Sequence, residues 1–210
     1  GITSIEMQNA TSIGDSAFYN CINLVSVAMP NVEDIGDSAF EDCSGLANVE
    51  MQNVKNIGNS AFRGQGWRNS GEVTPSGEYI YIPISANNLK NIEIPNVEII
   101  GDFAFYNCMH LTNVEMQNVK KIGNYAFSAE VKLEMAQANN ITDIKLLKTE
   151  YIGAFAFAES NVVSIEMPNV TSIGADAFSG CAKLNAVYIN DIAAWCKIQF
   201  ANFFANPLYL

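Results

Sequence analysis

The sequence predicts an α/β solenoid: stacked coils with a period of about 22 residues and one parallel β-sheet face of eight strands. Three observations carry this expectation. The motif Ile-Gly-x-x-Ala-Phe opens at Ile13, Ile35, Ile57, Ile100, Ile122, Ile152 and Ile173, in steps of 22, 22, 43, 22, 30 and 21 residues. A second motif, an aliphatic residue followed by x-x-[Ile/Val]-x-[Met/Ile/Leu], keeps the same beat through eight turns, from Ile2-Ile5-Met7 to Leu184-Val187-Ile189. Third, no single coil of this size can bury its own apolar side chains, whereas a stack of them closes a continuous core.

Each slot has a physical reading. The Leu-x-x-Ile-x-Met segment alternates between core and solvent, as a half-buried strand does. Pro-Asn or Gln-Asn then stops the strand and turns the chain, at Asn31, Asn53, Asn96, Asn118 and Asn169. Asparagines in successive coils can form a hydrogen-bonded ladder to the turn backbone. Val32, Val54, Val97, Val119 and Val170 return to the core. Glycine follows isoleucine in all seven motifs, which predicts a backbone bend or a positive φ there. The alanine leaves room for a close neighbour. Phe18, Phe40, Phe62, Phe105, Phe127, Phe157 and Phe178 should stack as a buried column, each contributing about 1.5–3 kcal/mol. Short helical or irregular turns and a second short strand are expected on the other face.

The totals limit the function. With 49 % hydrophobic and 16 % charged residues in 210, the chain is a folded domain and not a disordered tail. Twenty-two acids against 11 bases give a net charge of −11, which argues against nucleic acid as a partner and favours basic or cationic ones. No apolar run reaches the roughly 20 residues of a membrane span, so no membrane insertion is expected.

Little in the chain suggests chemistry. Cys21, Cys43, Cys108 and Cys181 each lie three residues after a motif phenylalanine, and Cys196 lies near the end. A small apolar filler beside the phenylalanine column is the favoured reading. A Cys21–Cys43 disulfide or a metal site stays open as an alternative. His110 is the one histidine and has no obvious partners for metal binding or base catalysis. No Lys-Ser or Lys-Thr follows a glycine loop, so no phosphate site is expected. The sequence therefore predicts no catalytic residue, no cofactor and no enzyme activity.

The outward strand positions say more. Asn48/Glu50, Asn91/Glu93 and Asn113/Glu115 put Asn-x-Glu on three consecutive strands. The three glutamates would stack at sheet spacing, where like charges about 5 Å apart repel by about 1 kcal/mol in water. Lys145 in the next coil relieves part of this. The pattern reads as a solvated polar ladder, as a patch for a protein or glycan ligand, or as a calcium site. The beat is interrupted twice. Residues 63–88 read as a hairpin, with the turn Pro75-Ser76-Gly77 and the arm Tyr79–Ile84. They carry Trp67, Arg68, Tyr79 and Tyr81, residue types that anchor interfaces. Residues 128–140 read as a longer loop or helical turn. Trp195, Phe200, Phe203 and Phe204 are expected to plug the last coil. The first coil has no such plug, which predicts a tendency to an end-to-end dimer.

Laid out as L-x-x-I-x-[MI]-P-N-V-x-x-I-G-x-x-A-F-x-x-C, the repeat strongly resembles the BspA-like type of leucine-rich repeat, across nearly all of residues 1–190. The closing stretch AVYINDIAAWCKIQFANFFANPLYL resembles a segment that often follows such repeats. The resemblance implies a right-handed leucine-rich-repeat solenoid over residues 1–190, with a capping segment at 191–210. It also implies a bacterial secreted or cell-surface protein, linked to adhesion and to binding host or bacterial macromolecules. No shared catalytic residues come with it. The expected function is thus a non-enzymatic extracellular interaction module. Its ligand surface would be Asn48, Glu50, Asn91, Glu93, Asn113 and Glu115, with Trp67 and Tyr79 as anchors. The alternative is a passive spacer or assembly segment of a larger surface protein.

Overall fold

The structure is a computed structural model that describes residues 1–65, 67–77, 79–83, 87–129 and 139–209, with the backbone alone at 67–69 and 79–83. Each coil supplies two short strands. The front strands are β1 (Ser4–Glu6), β3 (Ser26–Ala28), β5 (Asn48–Glu50), β9 (Asn91–Glu93), β11 (Asn113–Glu115), β13 (Asp143–Lys145), β15 (Ser164–Glu166) and β17 (Ala186–Tyr188). The back strands end on the motif isoleucine: β2 (Ser12–Ile13), β4 (Asp34–Ile35), β6 (Asn56–Ile57), β10 (Ile99–Ile100), β12 (Lys121–Ile122), β14 (Tyr151–Ile152) and β16 (Ser172–Ile173). The tail adds β18 (Gln199–Phe200) to the same series. Equivalent residues pair in parallel from coil to coil, for example Val27 with Val49 and Ile35 with Ile57. The fold is the expected solenoid, with less helix among the described residues than its class suggests: one four-residue α1 (Ile192–Trp195) and two 3-10 turns, all in the tail. Left-handed residues at Ser16 and Asn20, and at equivalent places in later coils, break any helix between strands.

The two ladders differ in continuity. The back strands form one eight-stranded ladder, β2-β4-β6-β10-β12-β14-β16-β18. The front strands form three: β1-β3-β5, β9-β11 and β13-β15-β17. The eight front strands expected as one sheet are therefore parted twice. Each parting follows an insertion, which enters after the motif phenylalanine and just before a front strand. Downstream, the back strands regain register, Ile57 with Ile100 and Ile122 with Ile152.

The phenylalanine column forms as expected. Adjacent rings lie 5.1–5.7 Å apart and within 10° of parallel. The asparagine ladder forms too: Asn31, Asn53, Asn96 and Asn169 donate to Gln8, Pro30, Gln52 and Leu147 carbonyls at 2.6–2.7 Å. In the coil between Val119 and Val170, Thr149 fills the valine slot, fully buried, and its hydroxyl donates to Val119 O at 2.7 Å.

The glycine column is needed for a different reason than expected. None of the seven motif glycines has a positive φ. A Cβ on Gly36 would lie 2.7 Å from Asp15 N, one on Gly123 2.5 Å from Asp102 N, and one on Gly174 2.3 Å from Ala154 N. Gly14, in the first coil, has nothing within 4 Å. Glycine thus lets consecutive backbones touch. The left-handed residue sits two positions later, at Ser16, Ser38, Ser60, Phe103, Tyr125, Phe155 and Asp176, with φ of 53–58°. The first six donate their N–H to a carbonyl of the next coil, as Ser38 does to Asn59 O at 2.8 Å, which holds the strained conformation in place.

The hairpin is present. β7 (Trp67–Val73) runs antiparallel to β8 (Tyr79–Pro83), with a register shift near Gly71 (φ 84°). Gly77 (φ 88°) closes the turn, donating to Thr74 O at 2.9 Å. Ile84 and most of the expected loop, residues 130–138, lie outside the described residues. In the tail, Trp195 is buried and packs 5.5 Å from Phe200. Phe203 and Phe204 are exposed (69 % and 53 %) rather than part of a plug, because their 3-10 turn buries Ala205 instead. At the first coil Ile5, Phe18 and Cys21 are only half-buried, around a hollow of about 260 Å³.

Candidate functional site

The first parting of the front sheet opens a cleft of about 810 Å³. Asn48, Val49 and Glu50 of β5 form one rim, and Lys90, Asn91 and Glu93 the other. The ladder bonds Met29 N to Glu50 O (2.9 Å) and Ile94 N to Glu115 O (3.2 Å) have no counterpart between Met51 and Glu93. The cause lies in how the insertion returns. Asn88 is tied to an earlier coil before β9 begins, its N–H to Leu46 O at 2.8 Å and its amide to Ser44 O at 3.2 Å. The second insertion returns the same way, with Asn140 tied to Leu111 O at 2.9 Å and Met109 O at 3.2 Å. The residue before each is a buried asparagine. Asn87 donates to Phe62 O at 2.7 Å, and Asn139 to Phe127 O at 2.6 Å. Asn139 Oδ1 also accepts from Ile141 N at 3.3 Å, whereas Asn87 Oδ1 is buried with no donor.

All six polar residues expected at the site are exposed on the front face. Asn91 stands opposite Asn113 and Glu93 opposite Glu115 in strict register, but Asn48 and Glu50 lie across the cleft from them. Among the described residues the carboxylates of Glu50, Glu93 and Glu115 have no hydrogen-bond or ion-pair partner. The front face further along is different. Asp143 accepts from the Ser164 hydroxyl and, at 2.9 Å, from Thr142, and these bonds hold its carboxyl below the usual range. Lys145 stands opposite Glu166. Among the described residues no group of three or more His, Cys, Asp or Glu could hold a metal ion. Trp67 and Tyr79 sit on the hairpin opposite Pro83 and Val73, and their side chains lie outside the described residues.

The cysteines act as hydrogen-bonded filler. Cys43, Cys108 and Cys181 donate to Phe18, Phe62 and Phe157 carbonyls at 3.0–3.3 Å. Burial pushes the Cys43 thiol up to about 11 and Cys108 to about 12, and raises Cys181 as well. Such thiols stay protonated at neutral pH and are poor nucleophiles. All five cysteines are free, so the Cys21–Cys43 disulfide does not form.

Sequence reasoning missed an outer aromatic ladder. Phe103, Tyr125 and Phe155 occupy the left-handed slot in three successive coils and stack at 4.7–4.8 Å, within 8° of parallel. Tyr106 meets Phe103 edge-on at 5.5 Å, and the Arg63 guanidinium lies 5.8 Å over the Phe103 ring. Arg63 also reaches Glu41 at 3.6 Å. The signal was readable as Gly-Asp-Phe-Ala-Phe, Gly-Asn-Tyr-Ala-Phe and Gly-Ala-Phe-Ala-Phe.

The sequence matches the BspA type leucine rich repeat region in six copies, over residues 1–86, 84–146 and 134–204. The chain belongs to the BspA-type leucine-rich repeat family. Leucine-rich repeat proteins of this kind are generally non-enzymatic and serve protein interaction or structure, and the BspA type is typically found at bacterial cell surfaces. A search of curated proteins finds no match. Among solved structures, a leucine-rich repeat protein of T. pallidum is 21 % identical, with 89 % of this BspA-type chain and 69 % of that one covered, at a TM-score of 0.50. A leucine rich cell surface protein of Faecalibacterium prausnitzii is 18 % identical, covering 96 % and 82 %, with a TM-score of 0.39. The likeness to the T. pallidum protein speaks to fold alone. No helix among the described residues is long and apolar enough to cross a membrane.

Proposed function

We propose that this chain is a non-enzymatic, extracellular adhesion module that binds a host or bacterial macromolecule through its front strand face. One observation supports this most: Asn48, Glu50, Asn91 and Glu93 line one cleft, and its carboxylates have no partner among the described residues. The family's usual place at bacterial surfaces and its general lack of enzymes agree with the reading. The test is binding of the purified chain to an array of matrix proteins, mucins and glycans, with and without calcium, beside a Glu50→Ala/Glu93→Ala/Glu115→Ala variant. Saturable binding that the variant loses is the expected result. A second reading, a passive spacer in a larger surface protein, is favoured by the unbroken back ladder, which suits a stiff rod. It gains if both forms stay folded and bind nothing.

A further inference from the structure

We infer that two copies of this chain join edge to edge through β8, so that their hairpins form one antiparallel four-stranded sheet. This stands apart from the adhesion reading, which concerns the front strands. β7 and β8 form a sheet of two, and among the described residues neither pairs with a strand of the solenoid. A two-stranded hairpin alone is marginally stable in water, and further strands stabilise it.

The two outer edges of the hairpin differ. β7 carries Arg68 and Glu72, and its pairing shifts register between Asn69 and Val73, around Gly71 at φ 84°. Charges and irregularities of this kind keep a strand edge from pairing with other chains. β8 has neither. It reads Tyr-Ile-Tyr-Ile-Pro, and no charged residue stands between Glu78 and Lys90. Its one guard is Pro83, at its last position. Tyrosine and isoleucine favour the extended backbone that an added strand needs. Charge and symmetry name the occupant. Two bodies of net charge −11 repel each other, so they approach at least cost along an uncharged strand. A two-fold axis at Tyr81 sets Tyr81 opposite Tyr81 and Ile80 opposite Ile82, and such like pairs are favourable across an antiparallel ladder. A charged strand of another protein would find no counter-charge on β8.

Sedimentation equilibrium of the whole chain in reducing buffer tests this, beside Tyr81→Lys and Ile22→Lys. The chain should dimerise reversibly. Tyr81→Lys sets like charges opposite each other at the axis and should weaken the dimer by about ten-fold or more. Ile22→Lys, at the hollow of the first coil, should leave it unchanged. A cross-link gives a second readout, independent of any loss of the hairpin in the lysine variant. With the exposed Cys196 replaced by serine, Tyr81→Cys should form an intermolecular disulfide in a glutathione redox buffer, and Val73→Cys on β7 should not. A chain that stays monomeric up to about 1 mM overturns the inference. So does a dimer that Ile22→Lys breaks and Tyr81→Lys leaves intact, or cross-linking at Val73 equal to that at Tyr81.

Discussion

The front and back ladders come from the same coils, yet the back ladder runs unbroken while the front is cut into three. The back strand, the glycine, the left-handed residue and the phenylalanine occupy one contiguous stretch, and neither insertion enters it. Several devices lock that stretch to its neighbour. Backbones touch at glycine, rings stack, and residues after the glycine form an Asp/Asn relay: Asp15 accepts from Asp37 N, Asp37 from Asn59 N, Asn59 from Asp102 N and Asp102 from Asn124 N, at 2.7–2.8 Å. The front strand has its own ladder and the asparagine turn after it, but the segment before it is free to lengthen. The comparison teaches that this fold keeps its register on one side and can vary the other without losing the stack.

The largest effect should come from the locked side. Phe105→Ala should cost roughly 3–5 kcal/mol in urea unfolding, since the ring is 1 % exposed between two stacked neighbours. Glu93→Ala on the open front should change stability by no more than about 0.5 kcal/mol. Similar costs for the two would erase the contrast between the sides.

Gly123→Ala comes next, at about 1–3 kcal/mol, because the new methyl group meets the backbone of Asp102 at 2.5 Å and neither coil can yield. Gly14→Ala has open space and should cost little. If the two variants melt alike, close coil contact is not what requires glycine.

The beat of this solenoid was legible because its slots recur locally: Ile-Gly-x-x-Ala-Phe and Leu-x-x-Ile-x-Met each sit within a few residues. What the glycine avoids was not legible, since the atoms it would strike belong to a residue one coil away. The left-handed slot was hidden for another reason. Ser, Phe, Tyr and Asp fill it, not Gly or Asn, and the strain is held by a bond to the next coil. At the site, the six front-face residues were readable from strand alternation. The cleft between them was not, because it depends on where the insertion's return is pinned. A signal existed in the sequence: both insertions end in the same words, Ala86-Asn87-Asn88-Leu89 and Ala138-Asn139-Asn140-Ile141.

Those two returns give a finer test. Asn139 uses both ends of its amide, while Asn87 leaves Oδ1 buried and unpaired. Asn139→Ala should therefore cost about 1–3 kcal/mol, and Asn87→Ala less, because its removal also relieves an unsatisfied acceptor. Thermal melts of the two variants decide it. A larger loss from Asn87→Ala would mean that the first return is held more firmly than its hydrogen bonds indicate.

The smallest effect concerns charge and separates the two sides by sign. Behind the front strands, Glu33, Lys55, Glu98, Lys120 and Glu150 follow one another in successive coils as an alternating ladder. The Lys120 ammonium holds the Glu98 carboxyl below its usual range, and Glu33 raises Lys55. Glu98 thus contributes fully above the ordinary glutamate value and loses that contribution as pH falls through its lowered one. Lys55 contributes below the ordinary lysine value and loses its part as pH rises through its raised one. Both groups are fully exposed, so salt should weaken the effect. On the front, Glu93 faces Glu115 with no cation between them, so removing its charge relieves repulsion. Glu98→Gln should lower the unfolding midpoint at neutral pH and Glu93→Gln should raise it, with both differences shrinking in acid as the remaining carboxylates protonate. Two shifts of the same sign would mean that the front glutamates are already neutralised in the free chain, which would remove the electrostatic reason for a cationic partner on the front face.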